Sequence, residues 1–359
     1  MASIFFTGFP GFLGSELLPR VLSRSATDVA VCVVQSKFMP LARERAAAIV
    51  TARPALAARI RLVEGDITRP MLGLAEAVGD VREIYHLAAV YDLSVKRDVG
   101  LRVNLEGTRN VLAFAAAQPH LGRLHYVSTC YVSGRHPGVF TENDLDKSQI
   151  FNNYYEETKY LAEVEVQKAM KGGLPATIYR PAVVVGDSTT GATQKFDGPY
   201  FVIQWILRQP RIAFLPVVGR PSQYHFNVVP CDFVIDAIDY LSSRPESAGK
   251  VYQLADPDPM AIDELLDAIA AATRHTILRV PLTRGIAKAA LDYVPGVYRL
   301  MRIPSAAVDY FVHPTQYDTT NATRDLAGSG IAAPRFRDYL PRLVDFVRAH
   351  PEIGSAAMV

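Results

Sequence analysis

The first fourteen residues constrain this chain more than any other stretch. Ile4-Phe5-Phe6 is an apolar run ending in Thr7, and Gly8, Gly11 and Gly14 follow at three-residue intervals. Ser15-Glu-Leu-Leu-Pro-Arg-Val-Leu22 then carries apolar residues at helical spacing. A buried strand that passes through glycines into a helix is how a dinucleotide-binding unit begins. Gly8 allows the tight turn, Gly11 lets backbone approach a pyrophosphate, and Gly14 lets helix pack on strand. The helix N-terminus then offers the phosphates free N–H groups and a partial positive charge. On this reading Gly8, Phe9, Pro10, Gly11, Phe12, Leu13 and Gly14 line a cofactor. The plain alternative is an ordinary strand-to-helix turn, and the remaining residues decide between the two.

Composition removes several classes of function. A chain of 359 residues can bury a full core and hold two domains, or one domain with a lobe. Its net charge is +2 with no basic block, which argues against nucleic acid as a partner. Cys32, Cys130 and Cys231 are odd in number and far apart, so buried thiols in a reducing cytoplasm are expected, with no metal site. The N-terminus lacks the basic leading segment of a signal peptide, and glycines interrupt its apolar stretch. No uninterrupted apolar run reaches the ~18 residues of a spanning helix. A cytoplasmic protein is the expectation.

Val29-Ala-Val-Cys-Val-Val34 reads as a second buried strand, and Gln35-Ser36-Lys37 follows it. An acid near this strand end binds the ribose 2′-hydroxyl in NAD-preferring units. None stands here, so Lys37 is read as a phosphate contact and NADPH as the cofactor, with NADH the alternative. Arg43 and Arg45 lie in an Ala-rich helix and read as further cations or as solvated surface charges. Ile60 to Ile67 reads as a third strand whose Asp66 could accept from an adenine amino group or serve the turn. Val81 to Ala89 is a fourth, running into small residues where backbone can lie beside a cofactor. His86 within it reads as structural. Leu124 to Thr129 is a fifth. Strand-helix alternation implies a parallel sheet with helices on both faces and ligands beyond the carboxyl ends of the strands, which is where Thr129 stands.

Asn152-Asn-Tyr-Tyr155-Glu-Glu-Thr-Lys159 carries the sharpest chemistry. Tyr155 and Lys159 are one helical turn apart and share a face. A nearby ammonium is expected to lower the tyrosine pKa from about 10, so that the hydroxyl exchanges a proton with a substrate oxygen while hydride moves at carbon. The Thr129 hydroxyl can bond the same oxygen.

Together these motifs resemble the extended short-chain dehydrogenases/reductases over nearly the whole chain. The matching pieces are Thr7-Gly8-x-x-Gly11-x-x-Gly14, Gly65-Asp66-Ile67, His86-Leu-Ala-Ala89, Asn104-x-x-Gly107-Thr108-x-Asn110, Ser128-Thr129, Tyr155-x-x-x-Lys159 and Arg180-Pro181 leading to Gly186. The resemblance implies an α/β fold, a doubly wound parallel (Rossmann) sheet with a smaller, mostly helical C-terminal lobe. It implies Tyr155 as proton donor and acceptor, Lys159 also holding the nicotinamide ribose, Thr129 orienting the carbonyl, and Asn104 supporting the network. Asp66, Ile67, Leu87, Ala88, Ala89, Arg180, Pro181 and Val183 join the cofactor-binding set. Tyr154 is the fallback tyrosine, but its fourth-on residue is Thr158.

Ser128-Thr-Cys-Tyr-Val132, Val183-Val-Val-Gly-Asp187-Ser-x-Thr-Gly191 and Tyr317-Asp318-x-x-Asn321 look like the fatty acyl-CoA reductases and the thioester-reductase domains of carboxylic acid reductases. The implied substrate is a small apolar molecule, carried on CoA or a carrier protein, or a fatty aldehyde. No carrier-protein or adenylation segment is recognised, so a thioester is expected to arrive from elsewhere. The enzyme alternative is a ketone or alcohol dehydrogenase acting on a steroid-like or polyketide carbonyl. A nucleotide-sugar epimerase or dehydratase fits less well, since dehydratases place Asp-Glu where Cys130-Tyr131 stands. A dinucleotide-sensing protein without turnover is the remaining class, and intact Thr129, Tyr155 and Lys159 speak against it. The resemblance also allows a homodimer through the helices flanking the site.

In the second half, Leu174 to Val185 reads as a sixth strand, Phe226 to Pro230 returns to the sheet, and Val251 to Ala255 is its last strand. The expected division is residues 1–186 and 224–256 for the dinucleotide unit, and 187–223 and 257–359 for a substrate lobe, mostly helical after Ile262. Trp205 reads as core rather than pocket. Residues 286–301 have a broad apolar face and a Pro295-Gly296 break, and packing inside the lobe is the leading account, with a lid or a membrane-touching surface as alternatives.

Overall fold

The computed structural model describes residues 2–295, 301 and 303–355. Ser3–Thr7 (β1) is buried along its length, and Phe12–Ser23 (α1) follows the glycine turn. Val29–Val34 (β2), Met39–Ala52 (α2), Ile60–Glu64 (β3) and Val81–His86 (β4) come next. Arg97–Gly100 (α3), a π-helical turn over Leu101–Glu106 and Gly107–Ala116 (α4) make one continuous crossover to Arg123–Val127 (β5). The short strand Gly138–Phe140 (β6) leads to Tyr154–Lys171 (α5), Ala176–Pro181 (β7) and Val183–Val185 (β8). The second half runs Tyr200–Leu207 (α6), Ile212–Val218 (β9), Val228–Pro230 (β10), Cys231–Ser242 (α7), Val251–Leu254 (β11) and Ile262–Thr273 (α8). Thr276–Leu282 (β12), Arg284–Tyr293 (α9), a 3₁₀ strap at Ser305–Val312, Thr315–Tyr317 (β13), Thr320–Leu326 (α10) and Phe336–Ala349 (α11) complete it.

Among the described residues, seven strands form one sheet in the order β11-β7-β5-β4-β1-β2-β3, and every neighbouring pair is parallel. The chain winds outward from β1 to β3, then returns to place β4 on the other side of β1. That reversal opens a crevice at the carboxyl ends of β1 and β4, and the glycine turn lies in it. Both faces of the sheet are covered, which is why its strands read as nearly unbroken apolar runs. On one face α1 and α7 pack against Phe6, Cys32, Tyr85 and Tyr179. On the other, Val111 and Phe114 of α4 meet Phe5, Val31 and Ile84. A line of rings crosses the sheet: Phe6, Tyr85, His125, Tyr179 and Tyr252 stack at centroid separations of 4.8, 4.4, 6.1 and 6.1 Å.

One sequence expectation needs correction, and one element was not foreseen. Residues 226–230 do not rejoin the main sheet; β10 pairs with β8 in a ladder of its own, and α7 then packs on α1. The lobe, though mostly helical, contains a second parallel ladder, β9 with β12, paired from Ile212–Thr276 to Val218–Leu282. Alternation decides this: Ala213, Leu215 and Val217 face into the lobe core while Ile212 and Phe214 stay exposed. A helix would place those five residues around its whole circumference.

The lobe has its own core, built from Phe196, Tyr200, Ile203, Leu265, Ile269, Tyr339, Leu340 and Val344. Trp205 packs against it and donates its indole N–H to the Phe214 carbonyl at 2.8 Å. The 187–191 motif docks α11: the Asp187 carboxylate accepts from Thr189 and Thr190 N–H, and Gly191, at φ +75°, lies against the Arg342 carbonyl. The 317–321 motif ties the C-terminal segment to the sheet edge through buried Glu142, which accepts from the Asn321, Ala322 and Gln253 amides. In the 286–301 segment, Ala287 and Leu291 pack against Val308 and Val312, while Ile286 and Tyr293 are exposed. Gly296 to Leu300, with Arg299, and Arg302 lie outside the described residues. Among the described residues no helix is long and apolar enough to cross a membrane.

Candidate active site

A cavity of about 870 Å³ runs along the carboxyl ends of the central strands and joins the glycine turn to Thr129, Tyr155 and Lys159. Gly8 sits at φ +91°, and a Cβ there would lie 2.7 Å from the Ala88 amide nitrogen. A Cβ on Gly11 or Gly14 would lie 2.6 Å from the Gly8 carbonyl, to which the Gly11 N–H donates at 2.8 Å. The three-residue spacing therefore winds the chain around one carbonyl, and no other residue type fits at those points. α1 starts with no side-chain cap and no acid in its first turn, which leaves its leading N–H groups for an anion. A long cavity with an uncapped helix at its waist fits a dinucleotide.

Of the expected cofactor residues, Gly8, Phe9, Pro10, Gly11, Phe12, Leu13, Gly14, Lys37, Asp66, Ile67, Leu87, Ala88, Ala89, Lys159, Pro181 and Val183 all line this cavity. Arg180 does not, and its placement is corrected. Its guanidinium is fully buried, pairs with Glu163 at 2.6 Å and donates to the Asp144 carbonyl at 2.8 Å. Two buried opposite charges must neutralise each other, so the side chain turns away from the cavity. Asn104 also stands back. Its amide accepts from Val90 N–H at 2.8 Å and donates to the Val90 carbonyl and Thr158 hydroxyl, both at 3.0 Å. It braces the cavity wall between Val90 and α5 and touches no reacting atom.

The catalytic candidates meet at the far end. Thr129 and Tyr155 both line this end of the cavity; the Thr129 hydroxyl donates to the Pro181 carbonyl at 3.4 Å and accepts from the Tyr131 N–H at 3.2 Å. Tyr154 is 48% exposed, whereas Tyr155 lines the cavity, so the one-residue ambiguity is resolved by burial. Lys159 is buried and donates to the Tyr126 hydroxyl and the Val127 carbonyl, both at 2.9 Å. The expectation that its charge depresses the Tyr155 pKa fails here. Burial raises the Tyr155 pKa, and the Thr129 hydroxyl only partly offsets it. Burial also pushes the Lys159 ammonium down to about 7, with Glu163 pulling it back up. In a dry site the cost of charging each group outweighs their mutual attraction. His86, between the Thr7 and Thr108 hydroxyls at 2.7 and 3.0 Å, is pushed down to about 3 by burial and the Lys159 charge, and is structural.

At the opposite end, Gln35, Lys37, Arg45 and Arg69 line the cavity. Arg45 reaches back over the turn to donate to the Pro10 carbonyl. Asp66 is committed to its own turn: burial raises its carboxyl pKa, but bonds from the Thr68 N–H and hydroxyl and from Gln35 hold it below the ordinary range. The sequence left Arg43 and Arg45 open between further cations and surface charges; of the two, Arg45 lines the cavity, one turn after Leu41 on α2. Beyond Tyr155 the walls become aromatic, with Tyr131, Phe201, Phe226, Tyr310 and Phe311. Apart from Tyr131, which lies in the Ser128-Thr-Cys-Tyr-Val132 motif, these residues carry no local motif, and nothing in their spacing reveals that they converge.

The parallel doubly wound sheet and this site define an extended short-chain dehydrogenase/reductase, an NAD(P)-binding oxidoreductase. Residues 6–238 match the family described as male sterility protein, and the chain belongs to that family. It is 30% identical over 279 residues to a linear gramicidin synthase of Brevibacillus parabrevis, covering 73% of this chain and 5% of that protein. The chain spans 5% to 26% of the length of the first curated relatives it matches. The terminal R domain of the myxalamid PKS-NRPS pathway superposes with a TM-score of 0.82 at 26% identity, covering 98% of this chain and 91% of that one. A thiolation-reductase di-domain of an archaeal non-ribosomal peptide synthetase shares the fold, with a TM-score of 0.76 at 20% identity and coverage of 98% and 76%.

Proposed function

We propose that the chain uses NADPH to reduce the carbonyl of an apolar substrate, an acyl thioester on CoA or a carrier protein, or the fatty aldehyde released from it. The observation that carries this reading is the shared cavity, in which Thr129, Tyr155 and Lys159 join the glycine turn to the chamber of Phe201, Phe226, Tyr310 and Phe311. The likeness to a gramicidin synthase, an R domain and a thiolation-reductase di-domain supports a tethered thioester. Lys37, Arg45 and Arg69 at the turn end support NADPH over NADH, because a 2′-phosphate needs cations there.

Bound NADPH supplies the hydride. Tyr155 keeps its proton at neutral pH, since burial raises its pKa, and delivers that proton as the substrate oxygen gains charge. The Thr129 hydroxyl donates to the same oxygen and fixes its position. Two N–H groups of Lys159 are engaged by Tyr126 and Val127, leaving a third for a ribose hydroxyl. With a thioester, hydride addition and protonation give a hemithioacetal; its C–S bond then breaks to release aldehyde and thiol. The same reading assigns residues 1–186 and 224–256 to the dinucleotide unit and 187–223 and 257–359 to the substrate lobe. It places the enzyme in the cytoplasm, where Cys32, Cys130 and Cys231, all buried free thiols, stay reduced. A homodimer would form through α4 and α5.

The test is NADPH and NADH oxidation against acyl-CoA, long-chain aldehydes, ketones and sugar nucleotides. NADPH consumption with acyl-CoA or aldehyde is expected. Turnover confined to sugar nucleotides overturns the substrate class, and turnover confined to ketones replaces it with an alcohol dehydrogenase.

A further inference from the structure

The strap Ser305–Val312 forms part of the apolar wall, with Ala307, Tyr310 and Phe311 lining the cavity. It is tied at three points, two of them to the start of α5, which carries Tyr155, and the third to α9. First, the Asn153 side-chain amide, which caps α5, donates to the Tyr310 hydroxyl at 3.0 Å. The Asn153 side chain also accepts from the Glu156 N–H at 3.0 Å, and the Glu156 carboxylate, fully buried one residue after Tyr155, accepts from the Asn152 N–H at 2.8 Å. Second, Arg135 donates to the Asn152 side chain at 3.0 Å and to the Val312 carbonyl at 3.3 Å, linking the end of the strap to the entry of α5. Third, fully buried Asp309 pairs with Arg284 at 2.6 Å and Lys288 at 2.8 Å from α9. The Tyr310 ring also meets Tyr131 edge-on at 4.8 Å, two residues beyond Thr129.

A wall segment that only filled space would need none of these bonds. Buried polar groups cost free energy unless each is paired, and here two of the three ties converge on the start of the helix that holds Tyr155. We infer that Tyr310 is both a positioning residue and a specificity determinant: its hydroxyl sets where α5 begins and hence where the Tyr155 hydroxyl stands, while its ring limits the width of the acyl chamber. This rests on the proposed reduction of an apolar carbonyl. The ring lies on the substrate side, so a bulky group beside the carbonyl collides with Tyr310, whereas an unbranched chain passes between Tyr310, Phe311 and Phe201.

The experiment uses the whole chain with two substitutions at one position. Tyr310→Phe keeps the ring and removes the hydroxyl. Its kcat should fall on the order of tenfold with KM and chain-length preference unchanged, as expected when only the placement of the proton donor moves. Tyr310→Ala also removes the ring, and should shift preference from straight to branched chains by roughly tenfold. Asp309→Asn loosens the strap from its other end and should reproduce the kcat loss without the preference shift. Circular dichroism and NADPH fluorescence titration establish that each variant folds and holds cofactor. A dead-end readout runs beside turnover: calorimetric binding of n-dodecanol and of a branched alcohol to the NADP⁺-loaded protein. A Tyr310→Ala variant that keeps the wild-type preference in both turnover and alcohol binding overturns the specificity role. A Tyr310→Phe variant with wild-type kcat overturns the positioning role. Should Tyr310→Ala not fold, the Tyr310→Phe and Asp309→Asn pair decides positioning, and Tyr310→Leu replaces it in the preference measurement. If the wild-type protein binds neither alcohol, the chamber assignment falls; if it binds them yet reduces only sugar nucleotides, the proposed function falls while the Tyr310 comparison stands.

Discussion

The two ends of the cavity are built in opposite ways. At the turn end, Gly8 to Gly14 form a cradle of consecutive backbone, and each glycine is explained by a carbonyl or amide within 2.7 Å of where its Cβ would be. At the chamber end, Tyr131, Phe201, Phe226 and Tyr310 arrive from four separate segments, and ion pairs of Asp309 with Arg284 and Lys288 anchor the strap that carries Tyr310. The first end tolerates almost no substitution yet suits any dinucleotide. The second is shaped by side chains from separate segments, so new side chains can reshape it without disturbing the sheet. A family that keeps its cofactor and varies its substrate needs this division.

The comparison can be broken most directly where the ends meet. Tyr155→Phe should abolish hydride transfer, a loss of at least ~100-fold for a general acid, with NADPH affinity intact by fluorescence titration. Retained activity would detach the chamber from the chemistry. A smaller effect is expected at the turn end. Arg45→Ala should weaken NADPH binding by about tenfold, the loss of one charge-assisted contact, and leave NADH binding nearly unchanged. Equal losses for both cofactors would mean that Arg45 only steadies the Pro10 carbonyl.

The smallest effect sharpens the chamber end. Burial raises the Glu156 carboxyl to about 7; Asn152 and the Tyr310 hydroxyl lower it, while the nearby Asp309 charge raises it further. Arg284 and Lys288 face that Asp309 carboxylate from α9. A folded pKa above the unfolded one means stability is greatest below the unfolded carboxylate range and is lost as pH rises toward 7. Glu156→Gln should flatten this slope and gain about 1 kcal/mol at pH 7.5 relative to pH 5, measured by urea melts at both values. An unchanged slope would place the titration elsewhere, with Glu142, also raised to about 7 by burial, the next candidate.

The line between what was legible and what was not follows the same division. The strands of the main sheet were legible because burial on both faces leaves continuous apolar runs. Thr129 and the Tyr155/Lys159 pair were legible because strand end and helical turn are local geometry. The Tyr155 pKa was misread, since spacing shows that an ammonium is near but not that both groups are dry. Arg180 was misplaced because its partner, Glu163, lies on α5 and is invisible to a motif. The β9–β12 ladder was missed because a parallel pair joins segments more than sixty positions apart, and neither strand announces the other.

By itself, then, the sequence determined the sheet, the turn and the hydroxyl and amine that line the cavity beside it. These depend on periodicity and on residues within one turn of each other. Only the tertiary structure decided which arginine reaches over the turn, which tyrosine stands in the chamber, and what the strap is tied to. Those outcomes depend on where buried charges find partners, and a buried charge is satisfied by whatever the fold brings beside it, at any distance along the chain.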